Sequence, residues 1–355
     1  MNINKEKKIL YIDPLSLSGH INFNNIQIKS LYKVFDSIDF TFREGYEKNL
    51  SIKENETIFL IPEKLYKSTN NKIVNRINLL KIFLYIKKRI NLSIYDFIIL
   101  SSYEEISLYF SFIKYPLILV NHNNIADLNN PIKRFFFKKV AKNNTNLVFG
   151  HYIKDYLIRI GVQNIEVINH GLPIPIDNKI LKRSVSNQFG YTENFKWIIF
   201  SASSSSSDKD FIDKIISNES LQSYLNKKNI LFILKGKYTN HSQSNNIRII
   251  DDYLANEEYQ YLFLRSNIIL ICYPSSFKYR VSGILFECMA NNKLCLLSDI
   301  EALGVYERYF KYDPYYKTID DLVNKIDFLI NNYEELKENS YLNLSKLNSN
   351  IESIF

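Results

Sequence analysis

Cysteine is scarce in this chain, and its distribution excludes two kinds of site. The 355 residues contain only three cysteines, Cys272, Cys288 and Cys295, all in the second half of the chain. They form no CxxC pair, and no HExxH motif occurs. We therefore expect neither a disulfide framework nor a structural zinc site, but small buried thiols in a reducing compartment.

Long hydrophobic runs are also missing. No uninterrupted apolar segment reaches the roughly 18–20 residues that a membrane-spanning helix needs. The N-terminal stretch MNINKEKKILYID has too short an apolar segment for a signal peptide. We therefore expect a cytoplasmic protein, soluble or peripheral at the inner face of the cell membrane. Hydrophobic residues make up 46% of the chain and charged residues 23%, a balance typical of globular domains.

The net charge of +8 is concentrated in the first half of the chain. Residues 64–89 contain eight Lys or Arg and no acid, and residues 131–142, PIKRFFFKKVAK, contain five more beside three consecutive Phe. Such segments can bind anionic lipid or nucleic acid. A solvated helix face is the alternative for either segment alone. Their occurrence in the same half favours a binding surface, and we expect contact with an anionic membrane rather than with nucleic acid.

Short apolar segments alternate with longer helical patterns. The predicted strands are residues 8–12, 57–61, 97–100, 117–121, 147–149 and 165–168, then 197–200, 230–234, 247–250, 268–272 and 294–297. Wholly apolar strands separated by helices indicate parallel sheets covered on both faces. We predict an α/β protein of two doubly wound, Rossmann-like domains that face a cleft.

The alternation stops at His170-Gly171-Leu172-Pro173, which indicates a domain boundary. We predict a first domain over residues 1–172 and a second over 173–335. The tail from residue 319 to about 353 has a helical pattern, and we expect residues 336–355 to form a helix that packs back on the first domain.

Residues 279–299, YRVSGILFECMANNKLCLLSD, carry the most chemical information. Ser282 and Gly283 open an apolar helix, whose free N–H groups and positive dipole end suit a phosphate. Glu287 lies on the same helix face, and helical side chains lean toward the N-terminus, so its carboxylate can reach a ligand there. This arrangement would hold a nucleotide-sugar. A capped core helix with one exposed Glu would give the same pattern, and these residues alone leave both interpretations open.

The second half of the chain resembles the donor domain of retaining GT-B glycosyltransferases, in particular glycosyltransferase family 4. The segment WIIFSASSSSSDKDF is similar to the family's first donor-domain strand and phosphate-binding loop, here with Ser203 and Lys209. NILFILKGKY, which contains Lys235, looks like the next strand and its glycine turn, and residues 279–299 look like the signature helix. The resemblance covers about residues 8–335, strongly in the second half and weakly in the first.

In the first half, Gly19 and His20 of DPLSLSGH resemble the first loop of the acceptor-side domain, where glycine lets the nucleotide-sugar approach the backbone. His122, after a predicted strand, resembles the family's histidine that faces the donor sugar. A lone histidine is as readily structural, and both interpretations of His122 stay open here.

Two positions depart from the family pattern. Tyr279 stands where the family usually has the first of two glutamates, of which Glu287 matches the second, and the arginine that precedes the phosphate-binding lysine is replaced by serine. Some members have Tyr-Arg-x-Ser-Gly here. Arg280 could then supply the missing charge, because a guanidinium pairs well with phosphate oxygens.

The resemblance implies transfer of a hexose or N-acetylhexosamine from a nucleotide diphosphate sugar to a saccharide or lipid-linked saccharide, with retention of anomeric configuration. The implied catalytic residues are His122, Lys209, Arg280 and Glu287. The implied donor-binding residues are Gly19, His20, Ser203, Lys209, Lys235, Tyr279, Arg280, Ser282, Gly283, Ile284 and Glu287.

No cofactor and no divalent metal are expected. Asp208 and Asp210 spell a DxD pattern, but two Asp at this spacing are frequent by chance, and a metal-dependent GT-A transferase would place them in the first domain. The alternative functions are a sugar-nucleotide epimerase on the same scaffold and a catalytically degenerate binding subunit of a transferase complex.

Overall fold

The chain divides into two compact units. The computed structural model describes residues 6–67, 69–122, 124–182, 184–202, 207–238, 244–252 and 254–355. Unit 1 contains the chain through Gly171 together with Tyr279–Val281 and Leu347–Phe355, and unit 2 contains Leu172–Lys278 and Ser282–Lys346. None of the described helices combines the length and the apolar character needed to cross a membrane.

Unit 1 is built on a seven-stranded parallel sheet with the order β3-β2-β1-β4-β5-β6-β7. The strand order reverses between β1 and β4, and in doubly wound sheets ligands bind at the carboxyl ends of the strands beside such a point. The strands are β1 Ile9–Ile12, β2 Asp39–Arg43, β3 Ile58–Ile61, β4 Phe97–Leu100, β5 Ile118–Val120, β6 Thr145–Val148 and β7 Ile165–Val167. The helices are α1 Ile21–Leu31, α2 Lys72–Arg89, α3 Glu105–Phe110, α4 Pro131–Ala141 and α5 His151–Arg159.

Local sequence accounts for the starts of the longer helices. The side chain of Asn71 accepts hydrogen bonds from the amides of Ile73 (2.9 Å) and Val74 (3.4 Å) before α2. Asn130 does the same before α4, where Pro131 occupies the first helical position. Asparagine caps and first-turn proline are favoured there because the first helical amides lack partners within the helix. One core joins the buried sides of α2, α3, α4 and α5 to one face of the sheet.

Unit 2 repeats the plan with a six-stranded parallel sheet of order β10-β9-β8-β11-β12-β13. Its order reverses between β8 and β11. The strands are β8 Trp197–Ser201, β9 Ile230–Lys235, β10 Ile247–Ile250, β11 Ile268–Ile271, β12 Leu294–Ser298 and β13 Tyr315–Tyr316. The helices are α6 Lys209–Ser217, α7 Glu219–Lys228, α8 Asn256–Arg265, α9 Gly283–Ala290, α10 Glu301–Gly304, α11 Ile319–Asn331 and α12 Tyr333–Leu336.

Gly171 is required by packing at the end of unit 1. Its φ of +91° is in the region that favours glycine, and a Cβ there would lie 2.3 Å from Cγ2 of Ile26 and 2.9 Å from Cβ of Ser349. The break seen in the sequence at this position therefore coincides with a close contact between the chain, α1 and the C-terminal segment.

The predicted C-terminal helix is wrong in extent. Helix α11 ends at Asn331 and the short α12 ends at Leu336. Beyond them the tail forms two 3₁₀ turns, Leu344–Leu347 and Ile351–Ile354, instead of one helix. The segment NSYLNLSKLNSN is rich in Asn and Ser, whose side chains compete with the backbone for hydrogen bonds and favour turns.

Candidate functional site

The N-terminus of α9 in unit 2 has the geometry of an anion site. Ser282 is the N-cap, and its Oγ accepts a hydrogen bond from the Leu285 amide at 3.2 Å. The Ser282 side chain is buried and also lies 3.1 Å from the Tyr273 hydroxyl, so it is committed to holding the helix start. The amides of Gly283 and Ile284 lie in the first turn, before the helix can supply acceptors. Gly283 is exposed, and Ile284 is partly exposed.

Glu287 lies one turn further along α9 and is oriented by a tyrosine. Its Oε2 accepts a hydrogen bond of 2.6 Å from the hydroxyl of Tyr259 on α8. Burial raises the pKa of Tyr259 well above its ordinary value, and the negative charge of Glu287 raises it further. The phenol therefore stays protonated and remains a donor to this carboxylate.

Lys235 belongs to the same group of side chains. It ends β9, and its ammonium lies 5.9 Å from the centre of the Tyr259 ring. Burial lowers the pKa of Lys235 below its ordinary value. Unit 2 thus places two of the predicted donor-binding residues against Tyr259, Lys235 over its ring and Glu287 at its hydroxyl.

The loop after β8 is only partly described. Ser203, predicted to bind the donor, lies outside the described residues. Lys209 is the first residue of α6 and is exposed. Asp208 is the N-cap of this helix, with Oδ1 accepting from the Phe211 amide at 3.1 Å, and its own amide donates to the Cys272 carbonyl at 2.9 Å. The first Asp of the DxD pattern therefore has a capping role.

Tyr279 and Arg280 belong to unit 1 with Val281, although the segments before and after these three residues belong to unit 2. The Tyr279 ring stacks on Tyr156 of α5, with ring centres 4.0 Å apart and planes 11° apart. The Tyr152 hydroxyl donates to the Arg280 carbonyl at 2.8 Å. Tyr279 has a φ of +55°, an uncommon conformation for a tyrosine that these contacts hold in place. The part of these two residues in donor binding stays a prediction.

Unit 1 gathers three histidines at the carboxyl edge of its sheet. His20, His122 and His170 follow β1, β5 and β7, and the rings of Phe23 and Phe149 pack among them with centres 4.9–5.7 Å apart. The His122 ring centre lies 5.4 Å from that of His20 and 5.6 Å from that of His170. Neither ring nitrogen of His122 has a hydrogen-bond partner within the described part of the chain.

Burial keeps two of these histidines neutral. It is the main cause that lowers the pKa of His122 well below its ordinary value, and the charges of His170, His20 and Arg280 lower it further. Burial also lowers the pKa of His170 to about 4, against a hydrogen bond to the Gly171 carbonyl that raises it. A neutral imidazole can donate one hydrogen bond and accept another, which suits the binding of a sugar hydroxyl.

Asp13, at the end of β1, organises the loop that carries Gly19 and His20. Its Oδ1 accepts from the Ser16 amide at 2.9 Å and from the Ser102 hydroxyl, and its Oδ2 accepts from Asn24 at 2.7 Å. Nδ1 of His20 lies 3.8 Å from Oδ2. Burial alone would raise the pKa of Asp13, but His20 and the hydrogen bonds from Ser102 and Asn24 lower it below its ordinary value.

Sequence reasoning missed Asp13, His170 and Tyr259. Asp13 and His170 each follow a predicted strand, so their strand-end position was a usable signal. Tyr259 had no such signal. It lies inside α8 among other aromatic residues, and only the packing of α8 beside α9 brings its hydroxyl to Glu287.

Among known proteins, the chain is similar only to solved structures. No protein-family model matches it. No curated protein is significantly similar in sequence.

Three of the similar solved structures have sequence identities of 10–15% and TM-scores of 0.54–0.61. The crystal structure of Anabaena Alr3699/HepE in complex with UDP-glucose is 14% identical, covers 98% of this chain and 94% of its own, and gives a TM-score of 0.61. The sucrose-phosphate synthase of Thermosynechococcus elongatus is 10% identical, with 93% and 91% coverage and a TM-score of 0.57. UDP-GlcNAc 2-epimerase from Neisseria meningitidis, bound to UDP-GlcNAc, is 15% identical, with 98% coverage of both chains and a TM-score of 0.54.

Such identities establish the fold alone, because one fold hosts several activities. The predicted fold class is confirmed: the chain consists of two doubly wound, parallel-sheet α/β units of GT-B type.

Proposed function

We propose that this protein is a retaining glycosyltransferase of the family 4 type, which transfers a hexose or N-acetylhexosamine from a nucleotide diphosphate sugar to a saccharide or lipid-linked saccharide. The observation that carries the proposal is the start of α9, where first-turn amides and the oriented carboxylate of Glu287 lie on one helix. Amides at a helix N-terminus bind phosphate oxygens, and a carboxylate accepts hydrogen bonds from sugar hydroxyls. The fold recurs in Anabaena Alr3699/HepE, whose structure contains UDP-glucose.

The proposed chemistry breaks the anomeric C–O bond to the diphosphate while the oxygen of the acceptor hydroxyl bonds to the anomeric carbon and its proton passes to the departing diphosphate. Negative charge then grows on the departing diphosphate, and groups that stabilise this charge lower the barrier. The amides at Ser282 and Gly283, with Lys209 and Arg280, take this role in the proposal. Glu287 binds the ribose hydroxyls and His122 orients the sugar. No side chain acts as a covalent nucleophile.

The proposed reaction needs no divalent metal, because the two cationic side chains neutralise the diphosphate. Activity that disappears on treatment with a chelator and returns with Mg²⁺ would contradict this part of the proposal.

The decisive experiment is a thermal-shift panel of UDP, GDP, ADP and their sugar conjugates, run on the wild-type chain and on Glu287→Gln. A ligand that binds the native state raises the unfolding temperature. We expect one base to stabilise the wild-type chain and to stabilise the variant much less. Equal shifts for both chains would show that Glu287 does not contact the nucleotide. If no nucleotide shifts the unfolding temperature, a degenerate binding subunit is favoured.

A sugar-nucleotide epimerase is the second candidate, favoured by the similarity to UDP-GlcNAc 2-epimerase over 98% of both chains. The two functions differ in what happens without an acceptor. An epimerase converts the sugar of the intact donor, whereas a transferase leaves it unchanged or hydrolyses it slowly. NMR of the donor after incubation with the protein alone distinguishes the two.

A further inference from the structure

Exposed apolar side chains of unit 1 concentrate on three neighbouring helices. Helices α2, α3 and α4 pack side by side on one face of the sheet. Their outer surface, together with residues 112–115, is named the α2–α4 face. It exposes the following large apolar side chains: Ile73, Val74, Ile77, Leu84, Tyr109, Phe110, Phe112, Tyr115, Ile132 and Phe135. Four of these, Ile73, Phe112, Ile132 and Phe135, are more than half exposed, at 66%, 62%, 62% and 54%.

The exposed residues form stripes rather than a random scatter. On α4, the positions 132, 135, 139 and 142 follow helical spacing along the outer side, whereas Phe137, Val140 and Ala141 face the core. On α2, the positions 73, 77, 81, 84 and 88 follow the same rule, opposite the buried Ile82, Phe83 and Ile86. Both stripes begin with apolar side chains and contain lysines further along. Each helix is therefore apolar on two sides, and only one side is needed for the core.

The charge on this face is positive and largely uncompensated. Of the acids nearby, Asp127 pairs with Lys133 at 2.6 Å and Glu104 pairs with Arg76 at 3.0 Å. Lys138, Lys139 and Lys142 make no ion pair with any described residue, and all three are exposed. The Lys139 ammonium lies 5.4 Å from the centre of the Phe135 ring, so charge and aromatic surface are adjacent.

Two grooves beside α4 are each lined by lysine and apolar side chains. One of about 430 Å³ is lined by Phe135, Lys138, Lys139 and Lys142 on one wall and by Gly161–Gln163 on the other. The second, of about 380 Å³, is lined by Tyr109, Phe112, Lys114 and Tyr115 and shares Lys139 with the first. Each groove thus presents ammonium groups beside apolar walls.

We propose that the α2–α4 face is a peripheral membrane-binding surface for a bilayer that contains anionic phospholipid. Aromatic and aliphatic side chains enter the boundary between headgroups and acyl chains, and the lysines contact lipid phosphates. A polyanion such as nucleic acid would use the lysines but leave Ile73, Ile77 and Ile132 exposed to water, so a bilayer explains more of the surface. The proposal goes beyond glycosyl transfer and does not depend on it.

The test is flotation of the full chain with vesicles of phosphatidylcholine, with and without phosphatidylglycerol, at low and high salt. We expect binding to the anionic vesicles that weakens as salt rises, because salt screens the attraction. Combined Lys138→Gln, Lys139→Gln and Lys142→Gln should weaken binding by about two orders of magnitude, because each of the three lysines near an anionic surface contributes to the attraction. Combined Ile132→Ser and Phe135→Ser should weaken it severalfold with the salt dependence retained.

Matched controls lie in unit 2. Lys182→Gln, Lys227→Gln and Lys311→Gln remove the same charge from exposed positions, and Ile174→Ser with Phe328→Ser replaces side chains that are 71% and 45% exposed. Both control sets should bind like the wild-type chain. The proposal is overturned if anionic vesicles fail to bind at low salt, or if the control lysines matter as much as those of α4. It is also overturned if single-stranded nucleic acid binds through the α4 lysines while vesicles do not.

Discussion

The carboxylate of Glu287 accepts a hydrogen bond from the Tyr259 hydroxyl, so its role can be tested without removing the carboxylate. Tyr259→Phe deletes the 2.6 Å hydrogen bond and keeps the ring that packs near Phe200 and Phe263. A hydrogen bond to a charged group contributes about 1.5–3 kcal/mol. We expect the affinity for the nucleoside diphosphate to fall about tenfold, because Glu287 loses a hydrogen bond that orients its carboxylate. Isothermal titration with the nucleotide identified in the thermal-shift panel measures this.

Tyr224→Phe is the matched control for this substitution. Tyr224 donates to the carboxylate of Asp327 at 2.9 Å, also in unit 2, so the variant loses the same kind of bond elsewhere. It should bind the nucleotide like the wild-type chain. If both variants bind equally well, Glu287 does not touch the ligand.

The neutral histidines of unit 1 predict a pH-dependent stability. The folded pKa of His170 is about 4, below its ordinary 6.5, so the unfolded chain takes up this proton first as pH falls. The free energy of unfolding should therefore decrease as pH falls between these values and be insensitive to this group above them. The slope from one such group is up to about 1.4 kcal/mol per pH unit. The pKa of His122 is also lowered, so His122 makes the free energy of unfolding fall with pH in the same direction.

Urea denaturation at a series of pH values measures this slope, with unit 1 followed by hydrogen exchange. His170→Gln should reduce the slope by up to about 1.4 kcal/mol per pH unit, whereas His151→Gln, at an exposed histidine, should leave it unchanged. A slope that is the same in all three chains would show that His170 is not held neutral by folding.

Individual site residues could be predicted only where a short motif carried them. Gly283 and Glu287 are four residues apart in one helix, so their shared face follows from helical spacing, and Ser282 is the N-cap of the same helix. The partners of these residues could not be derived in this way. Tyr259 reaches Glu287 from another helix, and Asp13 is linked to Asn24 and Ser102 by hydrogen bonds across three elements.

At the scale of elements, eleven of the thirteen described strands were predicted, including β7 and β10 with one charged residue each, and β2 and β13 were missed. Strand β2, Asp39–Arg43, alternates polar and apolar residues, and the buried Thr41 interrupts its apolar run. Strand β13 has two residues, fewer than any pattern can reveal. A parallel sheet buries both faces, so a search for apolar runs finds strands with at most one charged residue and passes over β2, where every second residue is polar.

The first turn of helix α9 can be tested by substituting Gly283. Gly283 is helical, and an added Cβ would meet no atom within 4 Å, so the protein alone does not require glycine there. Gly283→Ala should leave the unfolding temperature unchanged or raise it slightly, because alanine favours helix. A methyl group beside the first-turn amides would obstruct a diphosphate, and we expect nucleotide affinity to fall about tenfold, which corresponds to about 1.4 kcal/mol.

Gly304→Ala is the control that separates the effect on stability from the effect on nucleotide binding. Gly304 is also in a helix of unit 2 with no atom near an added Cβ. It should show the same small effect on stability and none on binding. Undiminished nucleotide affinity in Gly283→Ala would show that the phosphates do not approach this end of α9.

At the scale of the whole molecule, unit 1 is completed by two segments distant in the sequence. Tyr279–Val281 and Leu347–Phe355 belong to it although they follow most of unit 2. The first is held by the stacking of Tyr279 on Tyr156, a contact that no local pattern predicts. A division of the chain by composition alone therefore assigned residues 279–281 to the second domain.

The C-terminal segment is packed against unit 1 by apolar and polar contacts. Ile351 is fully buried, and the Phe355 ring lies 4.9 Å from Phe35 and 4.8 Å from Phe97. Glu352 accepts from Lys33 at 2.6 Å and from the Ser30 hydroxyl. Asn350 accepts from the Asn169 amide at 2.7 Å. These contacts tie the last residues to α1, to the start of β4 and to the segment after β7.

Ile351→Ala tests whether unit 1 depends on this segment. Removing a buried isoleucine side chain typically costs about 2–5 kcal/mol, because it leaves a cavity as well as losing apolar contacts. We expect hydrogen exchange, measured by mass spectrometry, to accelerate in α1, β1 and β4, because the bonds of these elements open when unit 1 loses stability. Leu342→Ala, at a side chain that is 39% exposed in unit 2, should change exchange little anywhere. Exchange in α1 and β4 that is unaltered by Ile351→Ala would mean that the first 171 residues are stable without the tail.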